Sequence, residues 1–364
     1  MISAIHIITT IDRGGAENHL QSLIKEQKLN NYSLMVFYLK GKPYWKPYFE
    51  EKGIEVYKFK SVFHLISTIK KHDVKILHAH LQVPEIIATI THFFYPKFKL
   101  IFSRHNDAYS RFLPLWLNPF FYQYISKRAS KIICISKNVY NFCSNNLRLN
   151  KEKLEIIYYG ISKKIYDPKQ IDETELNKIK NELNLKNEFI IGTVARLHPQ
   201  KSLHTLIQAF SDFSKEVLNS KLIIVGEGDL EGQLKMQVEE LDLREKVIFT
   251  GKRSEIPVFY KIFNIFVLCS IYEGLGLVLL EAMAAEKPII GTNAGAIPDI
   301  ISKCGIIVET ENPNAISKEL IKLYENPDLV KQMTKKGVND IKEKFTLERM
   351  YLQTDQIYKQ VFYL

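Results

Sequence analysis

Long apolar segments are missing from this sequence of 364 residues. No run of eighteen or more apolar residues occurs, whereas about twenty are needed for a helix that crosses a bilayer. The first residues pass from a short apolar run directly into Asp12 and Arg13, without the cleavage pattern of a secretory signal peptide. These absences predict a soluble, cytoplasmic protein. Peripheral association with the inner face of the plasma membrane is the one membrane role left open.

Cysteine is scarce as well. The four cysteines are scattered, without the paired spacing of zinc ligands or the density of a disulfide framework: Cys134, Cys143, Cys269 and Cys304. We therefore expect buried free thiols in a reducing compartment, and no metal site.

The charge is unbalanced toward cations. Lys and Arg number 50 against 40 Asp and Glu, which gives a formal net charge of +10. This excess suits an anionic partner, such as a phosphate-bearing substrate or an anionic lipid surface. Nucleic acid is disfavoured, because the cations are not gathered into one arm or helix and no nucleic-acid-binding motif is present. Nothing in the sequence indicates an oligomeric state.

Short β-branched runs alternate with helical patterns along most of the chain, as in parallel α/β domains. The runs are 2–9, 33–39, 56–59, 76–79, 100–103, 131–135 and 154–158, then 189–195, 221–225, 247–250, 265–268, 288–291 and 305–308. We predict two doubly wound, Rossmann-like domains, since 46% hydrophobic residues can fill two cores. The N-terminal domain would span residues 1–163 and the C-terminal domain 164–345, with a final helix, 346–364, packing back onto the first domain.

Polar residues follow several strands of the first predicted domain. In doubly wound sheets ligands bind outside the carboxyl ends of the strands. After the first strand come Gly14, Gly15 and Glu17, a glycine turn that opens a helix and lets backbone N–H groups approach a ligand. His80 ends a later strand, and His105 with Asn106 ends another. Such turns and histidines are often structural, but their gathering at one edge favours a polar site.

The second predicted domain places cations at the same edge. Arg196 and Lys201 flank a turn after its first strand, and they could converge on one diphosphate or lie in a solvated loop. Gly226 begins a turn after the next strand, and Lys252 with Arg253 ends the one after that.

The most informative segment is a glycine-rich turn followed by an apolar helix. It reads Glu273-Gly274-Leu275-Gly276-Leu277, with Glu281 in the second turn of a helix that starts near Gly276. The free N–H groups of that helix could meet an anion, while the carboxylates accept hydrogen bonds from sugar hydroxyls. Alternatively, both carboxylates have no ligand: Glu273 caps the N-terminus of the helix, and Glu281 is a solvent-exposed side chain.

Arg196, Lys201, Glu273 and Glu281 in this order resemble family 4 of the retaining glycosyltransferases, which have the GT-B fold with two Rossmann-like domains facing each other across a cleft. The resemblance extends over nearly the whole chain, through counterparts of Gly14 to Glu17, His105, Gly226 to Gly228 and Gly295 to Asp299. It implies transfer of a sugar from a nucleotide-diphosphate sugar, with UDP favoured and GDP as an alternative, to a glycan or lipid-linked acceptor in bacterial envelope or capsule synthesis. No cofactor is implied.

The same resemblance assigns roles to the residues. Arg196 and Lys201 would hold the donor diphosphate, Glu281 the ribose, and Glu273 would lie beside the transferred sugar, so that Glu273, His105, Arg196 and Lys201 form the catalytic set. The remaining donor-side candidates are Gly15, Gly226, Lys252, Arg253, Gly274, Leu275, Gly276 and Leu277. The acceptor side would be lined by Gly14, Gly15, Glu17, His80, His105 and Asn106.

Three positions depart from the family pattern. Tyr159-Gly160-Ile161-Ser162 stands where Asn-Gly-x-Asp is common, which weakens a ligand role for that turn. Leu275 replaces a common Phe and Cys269 a common Pro, and neither disturbs the carboxylates. No Asp-x-Asp motif occurs, so we expect the leaving diphosphate to be stabilised by cations and a helix N-terminus rather than by a metal.

Two other functions stay open. Nucleotide-sugar 2-epimerases have a similar architecture but lack this glycine turn with its pair of carboxylates, and a non-catalytic binding module would not need the full set of polar residues. A membrane surface is a further partner to test, because three segments interleave aromatics with cations: 42–49, 93–100 and 111–128. Burial of these aromatics in the core is the alternative.

Overall fold

The computed structural model describes residues 2–12, 14–109 and 114–363. The chain divides into two compact units, and we call Met1–Gly160 with Thr346–Leu364 unit 1 and Ile161–Phe345 unit 2. The boundary after Gly160 lies three residues before the one predicted at 163. No helix in these described ranges is long and apolar enough to cross a membrane. All four cysteines are buried free thiols, as expected.

The described residues form thirteen strands. These are β1 Ser3–Ile8, β2 Ser33–Tyr38, β3 Glu55–Lys58, β4 Ile76–His80, β5 Lys99–Arg104, β6 Lys131–Cys134, β7 Leu154–Ile156, β8 Phe189–Val194, β9 Ser220–Val225, β10 Val247–Gly251, β11 Ile265–Leu268, β12 Ile289–Thr292 and β13 Gly305–Val308. Each coincides with a predicted run to within two residues at either end.

Sixteen α-helices lie in the same described ranges. They are α1 Gly15–Leu29, α2 Lys46–Glu51, α3 Val62–Lys71, α4 Gln82–Phe94, α5 Asn118–Ser126, α6 Lys137–Asn141, α7 Lys163–Tyr166, α8 Glu173–Glu182, α9 Leu203–Glu216, α10 Glu231–Glu240, α11 Ile256–Ile262, α12 Leu277–Ala284, α13 Ile297–Ile301, α14 Pro313–Glu325, α15 Pro327–Lys344 and α16 Leu347–Tyr363.

Unit 1 contains a parallel seven-stranded sheet in the order β3-β2-β1-β4-β5-β6-β7. The order reverses between β1 and β4, so the loops that leave these strands diverge and open a crevice at the carboxyl edge of the sheet. The final helix, α16, packs against α1, and the hydroxyl of Tyr32 donates to Asp355 of α16 at 2.6 Å. Apolar side chains of β1, α1 and α16 share one core.

Unit 2 contains a parallel six-stranded sheet in the order β10-β9-β8-β11-β12-β13. Its order reverses between β8 and β11. The apolar stripe of α9, including Leu206, Phe210 and Phe213, packs with strand residues such as Ile191 and Leu222 into a second core. The prediction of two Rossmann-like domains is confirmed.

Candidate active site

The segments that follow β8 and β11 meet at the point in unit 2 where the strand order reverses. The backbone N–H of Ile271 donates to the carbonyl of Gln200 at 2.9 Å, and the side-chain amide of Gln200 donates to the carbonyl of Tyr272 at 2.8 Å. The thiol of Cys269 lies 3.1 Å from the carbonyl oxygen of Lys201. The two segments are therefore joined into one surface at the position where doubly wound folds bind ligands.

An ion pair occupies this surface. The ammonium of Lys201, from the segment after β8, pairs with the carboxylate of Glu273, from the turn after β11. Ser270 donates to the same carboxylate oxygen of Glu273 at 3.3 Å. The side chain of Lys201 is 16% exposed and that of Glu273 13%, so the pair is partly shielded yet open to a ligand. The structure thus brings together two of the predicted catalytic residues.

Glycine is required in the turns that hold Glu273. Gly295 has φ +52°, and a Cβ there would lie 2.0 Å from the carbonyl oxygen of Glu273. Gly276 has φ +80° and precedes α12, whose first N–H groups have no partner within the helix. The side chain of Leu275 is buried at 2% exposure. Leu275 can therefore reach a ligand only through its backbone, and replacing the family's Phe leaves the carboxylates in place.

A second glycine turn packs against the segment after β8. Gly226 has φ +142°, and a Cβ on it would lie 1.9 Å from the carbonyl oxygen of Ala195. A Cβ on Gly228 would lie 2.4 Å from the carbonyl oxygen of Leu197. The backbone N–H of Leu197 donates to the backbone carbonyl of Glu227 at 3.0 Å. The turn therefore shapes the chain on either side of Arg196.

The basic residues at this edge differ in how they are held. Arg196 is exposed, and within the described part of the chain no carboxylate lies within ion-pair distance of its guanidinium. Lys252 is also exposed and lies 3.3 Å from Glu227. Arg253 instead makes a two-point contact with Glu182 at 2.6 and 2.9 Å. Arg196 is the cation most available to an anion, whereas Arg253 is engaged within the fold.

Glu281 lies in α12 with its side chain buried, at 8% exposure. The hydroxyl of Tyr260, from α11, donates to its carboxylate at 2.9 Å, and Tyr166, from α7, forms a second hydrogen bond to it. Burial raises the pKa of Glu281 above its ordinary value, and the two tyrosine hydrogen bonds oppose that rise. Two hydroxyls thus orient the carboxylate predicted to bind the ribose.

The glycine turn of unit 1 leads from β1 into α1. Thr10 donates to the carboxylate of Glu17, and a Cβ on Gly14 would lie 2.4 Å from that carboxylate. The space around Gly15 is open. A side chain at Gly14 would therefore displace the carboxylate of Glu17 from this position.

A cluster of five buried histidines lies beside this turn: His6, His19, His78, His80 and His105. Burial lowers the pKa of His6 to about 4 and that of His105 to about 3. It is also the largest cause of the lowered pKa values of His19, His78 and His80. Desolvation disfavours the imidazolium. All five rings are therefore neutral at pH 7.

The cluster corrects one prediction. His80 was expected to line the acceptor side, but it is fully buried and both of its ring nitrogens are used, one by His6 at 3.0 Å and one by His105 at 3.2 Å. No atom of its ring is available to a ligand. His105 is 8% exposed and Asn106 is half-buried, and these two remain at the edge.

Three of these rings come close enough to be considered as metal ligands. One nitrogen from each of His6, His78 and His80 lies within 4.8 Å of the others. However, each of the three rings already has a hydrogen-bond partner on both nitrogens, including Tyr358 and Ser103 for His78. A metal would have to replace several of these bonds, so the arrangement fits a hydrogen-bonded network better than a metal centre.

The sequence assigned no role to Gln27, Tyr166 or Tyr260, and it weakened a ligand role for the turn that holds Tyr159. Tyr159 donates to or accepts from His105, and Tyr166 and Tyr260 hold Glu281. The only sequence signal was in β4, where His78 and His80 are two residues apart and so share one face of the strand. The tyrosines lie far from their partners in sequence and gave no signal.

Two family models match the chain. The model described as Glycosyltransferase Family 4 matches residues 13–164, and the model described as Glycosyl transferases group 1 matches residues 175–340. Together they account for most of the chain, one in each unit. The chain belongs to the group 1, family 4 glycosyltransferases.

Individual relatives agree with this assignment. N-acetyl-alpha-D-glucosaminyl L-malate synthase of Bacillus anthracis is 24% identical over 300 residues, which cover 80% of this chain and 76% of that protein. UDP-Gal:alpha-D-GlcNAc-diphosphoundecaprenol alpha-1,3-galactosyltransferase of Escherichia coli is 24% identical over 82% of this chain and 79% of its own length.

A solved structure defines the fold. Anabaena HepE, in complex with UDP-glucose, matches with a TM-score of 0.87 and 20% identity over 100% of both chains. The expectation of a GT-B fold is confirmed.

Proposed function

We propose that this protein transfers a sugar from a nucleotide-diphosphate sugar, bound by unit 2, to an acceptor hydroxyl bound by unit 1. The observation that carries the proposal is the ion pair between Lys201 and Glu273 at the reversal of strand order, beside the N-terminus of α12. A cation, a carboxylate and free backbone N–H groups are the groups needed to hold a sugar diphosphate.

Each group at this edge has a distinct role in the proposal. Arg196 and Lys201 neutralise the diphosphate, and the first N–H groups of α12 bind the same anion. Glu273 lies next to the transferred sugar, and Glu281 binds the ribose. A uridine donor is favoured because HepE, which shares the fold, was solved with UDP-glucose. A GDP-sugar is the alternative.

The reaction breaks the bond between the anomeric carbon and the diphosphate oxygen, and it forms a bond from that carbon to the acceptor oxygen. The acceptor hydroxyl passes its proton to an oxygen of the departing diphosphate, which also keeps the electron pair of the broken bond. Positive charge aimed at this leaving group lowers the barrier. We assign retention of anomeric configuration to the reaction, and charge stabilisation by Lys201 and Arg196 rather than by a metal.

The acceptor is a glycan or a lipid-linked saccharide in this proposal, and the biological context is bacterial envelope or capsule synthesis. The Escherichia coli relative acts on a diphosphoundecaprenol-linked sugar, and a Staphylococcus aureus relative takes part in capsular polysaccharide biosynthesis. A lipid-linked acceptor would bring the enzyme to the inner face of the plasma membrane.

An exposed aromatic surface on unit 1 supports membrane contact. Phe63 of α3 touches Phe94 of α4, with ring centroids 6.2 Å apart, and the guanidinium of Arg128 lies over the rings of Phe93 and Tyr124. The four aromatic side chains are 55–73% exposed. Exposed rings joined to a cation are typical of surfaces that enter an anionic lipid interface. We call these five residues the aromatic surface.

Of the three segments proposed for membrane contact, the first contributes none of these five residues. Residues 46–51 form α2, and Phe49 is fully buried in the core of unit 1. Residues 111–113 of the third segment lie outside the described residues. The second segment and the rest of the third supply Phe93, Phe94, Tyr124 and Arg128.

Sedimentation with liposomes tests the aromatic surface. The protein should bind vesicles that contain anionic lipid at low salt and be released at high salt, and Phe94→Asp should weaken binding. Leu218→Asp is the matched control, since Leu218 is a 75% exposed apolar residue of unit 2. Equal recovery of the wild type in the supernatant with and without vesicles would refute membrane contact.

A nucleotide-sugar panel tests the transferase assignment. UDP-, GDP- and ADP-sugars are incubated with and without acceptor, and binding is followed by thermal shift, because a ligand at a hundred times its Kd stabilises a protein by about 2.7 kcal/mol. Turnover that requires an acceptor supports the proposal. Conversion of the donor alone would identify a nucleotide-sugar 2-epimerase, and binding without conversion a non-catalytic module.

The stereochemistry and the absence of a metal requirement need a separate measurement. Proton NMR of the fresh product should show the donor's anomeric configuration, and activity should persist in excess chelator. An inverted product, or complete loss of activity in chelator that added metal restores, would refute the corresponding part of the proposal.

A further inference from the structure

Five side chains of unit 1 form a single chain of hydrogen bonds that ends at the carboxyl edge of the sheet. Gln27 of α1 contacts Nε2 of His6 at 2.8 Å, and Nδ1 of His6 contacts Nε2 of His80 at 3.0 Å. Nδ1 of His80 contacts Nε2 of His105 at 3.2 Å, and Nδ1 of His105 contacts the hydroxyl of Tyr159. We call these five residues the histidine chain.

The donor and acceptor in one hydrogen bond of this chain determine the donor and acceptor in all the others. A neutral imidazole donates from one nitrogen and accepts at the other. The oxygen of Gln27 can only accept, so His6 carries its proton on Nε2 and must accept at Nδ1. His80 then donates from Nε2 and accepts at Nδ1, and the same holds for His105. The hydroxyl of Tyr159 must therefore donate to Nδ1 of His105.

An added proton has no place in this chain. An imidazolium donates from both nitrogens, so a charged ring would set an N–H group against the N–H group of its neighbour. No carboxylate takes part in any of the four links. Burial also lowers the pKa of His6, His80 and His105. The chain is stable only when every ring is neutral.

Packing holds the outer end of the chain in place. The ring of His19 stacks on Tyr159 with centroids 4.2 Å apart and meets His105 edge-on at 5.6 Å. Tyr159 is 4% exposed and His105 8%. Neither ring can turn without breaking its hydrogen bond and its stacking contact.

We propose that Gln27, His6 and His80 are positioning residues that hold His105 as the neutral Nε2–H tautomer, so that its ring stays fixed and its edge and backbone, rather than a ring nitrogen, orient the acceptor. The assignment of the acceptor to this edge rests on the proposed function. The tautomer assignment itself does not, because it follows from the four hydrogen bonds alone.

The sequence placed His105 in the catalytic set without a chemical role, and its hydrogen bonds exclude the role of general base. A general base must accept a proton from the substrate, but Nδ1 of His105 already accepts from Tyr159 and Nε2 donates to His80. The ring is left with its edge and its backbone as the parts that face the site. Three residues that never touch a substrate, one of them on α1, would thus control an active-site side chain.

Imidazole NMR on histidine-labelled protein tests the tautomers directly. In the wild type at pH 7 we expect His6, His80 and His105 all to be protonated on Nε2 and not on Nδ1. Protonation of His105 on Nδ1, or on both nitrogens, would overturn the proposal. So would a stoichiometric metal ion in the purified protein, because a metal would replace the link between His6 and His80.

Variants at Gln27 test whether the far end controls His105. Gln27→Met removes the acceptor while keeping the length of the side chain, and we expect loss of the single tautomer at His105. Gln21→Met, on the same helix but outside the chain, is the matched control and should leave the spectrum unchanged. An unchanged His105 signal in folded Gln27→Met would refute the control by Gln27.

Kinetics then separate this role from the proposed function. Gln27→Met should raise the KM for the acceptor without changing the KM for the donor, and the wild-type pH profile should show no ionisation assignable to His105. If the tautomers are as proposed but no transferase activity exists, only the proposed function fails. If Gln27→Met alters the tautomer of His105 but not the acceptor KM, the positioning role fails.

Discussion

Units 1 and 2 are built on similar parallel sheets, yet they hold the polar groups at their carboxyl edges in opposite ways. In unit 1 the histidines and Tyr159 are buried and neutral, and they are bonded to one another. In unit 2 the corresponding groups are charged and partly exposed, as in the pair Lys201 and Glu273 and the exposed Arg196. The same topology therefore supports two electrostatically different edges.

The difference matches the ligands assigned to the two units. A sugar hydroxyl is neutral and needs fixed hydrogen-bonding groups in a defined orientation. A diphosphate is anionic and needs cations and helix N–H groups that remain accessible. Changing a buried group in unit 1 should therefore affect folding first, whereas changing an exposed group in unit 2 should affect turnover first.

The largest expected effect concerns ion pairs in the two units. Arg104 of unit 1 pairs with Glu85 at 2.9 Å, and both side chains are at most 3% exposed. Burial raises the pKa of Glu85 to about 8 even beside Arg104. Arg104→Met leaves this buried carboxyl group without its cationic partner and should lower the free energy of unfolding by about 3–5 kcal/mol. Arg253→Met breaks the pairs with Glu182 and Glu255 in unit 2, where the arginine side chain is 17% and the two carboxylates 45% and 30% exposed, and it should lower the free energy of unfolding much less. Chemical denaturation measures both, and equal losses would contradict the comparison.

A second prediction concerns catalysis at the charged edge. Lys201→Ala should lower kcat by roughly a hundredfold or more, because a cation aimed at the departing diphosphate acts mainly in the transition state. Lys335→Ala, at an exposed position of α15, is the control. Steady-state kinetics on folded protein decides the matter. Wild-type turnover in Lys201→Ala would refute the assignment of the donor site.

A companion variant separates the two members of that pair. Glu273→Gln keeps the shape of the side chain but removes its charge. If Glu273 stabilises positive charge at the anomeric carbon, kcat should fall strongly while donor affinity changes little. A rise in the donor KM with unchanged kcat would show instead that Glu273 only binds the sugar.

A third prediction concerns acid. Burial lowers the pKa of His6 from 6.5 to about 4, so below pH 6.5 the unfolded chain binds a proton that the native state excludes. Stability therefore falls as the pH drops from 6.5 to about 4. At pH 5 the loss from His6 alone is about 2 kcal/mol.

The acid effect should appear in unit 1, which holds all five buried histidines. Both tryptophans of the chain, Trp45 and Trp116, also lie in unit 1. Thermal unfolding followed by tryptophan fluorescence should shift to lower temperature between pH 6.5 and pH 5. Protection of backbone amides against hydrogen exchange should decrease less in unit 2 than in unit 1 between pH 6.5 and pH 5. An equal decrease in both units would contradict the predicted difference in acid sensitivity.

The smallest expected effect is at Glu281. If it binds the ribose, its contact is similar in the ground and transition states, so Glu281→Gln should raise the donor KM and leave kcat nearly unchanged. Tyr260→Phe, which removes one of the hydroxyls that orient the carboxylate, should change the donor KM in the same direction. A fall in kcat without a change in KM would place Glu281 in the chemical step.

The local structure of both units could be predicted from the sequence. Each strand is a short run of β-branched and apolar residues that suits burial in a parallel sheet, as in Ile265–Leu268. The longer helices between the strands show apolar residues spaced three or four positions apart, which is the helical period. The glycine turn before α12 was also predictable, because Gly276 needs a positive φ that other residues rarely adopt. Short helices such as α2 gave no signal, since six residues are too few to show a period.

The tertiary structure alone decided which of these residues meet. Lys201 and Glu273 are 72 residues apart, and they form a pair only because β8 and β11 are neighbours where the strand order reverses. The histidine chain likewise depends on the pairing of β1 with β4 and on the packing of α1 over them. Local patterns encode the strands and turns, but hydrogen bonds between distant side chains follow from strand order and from burial, which no short stretch of sequence specifies.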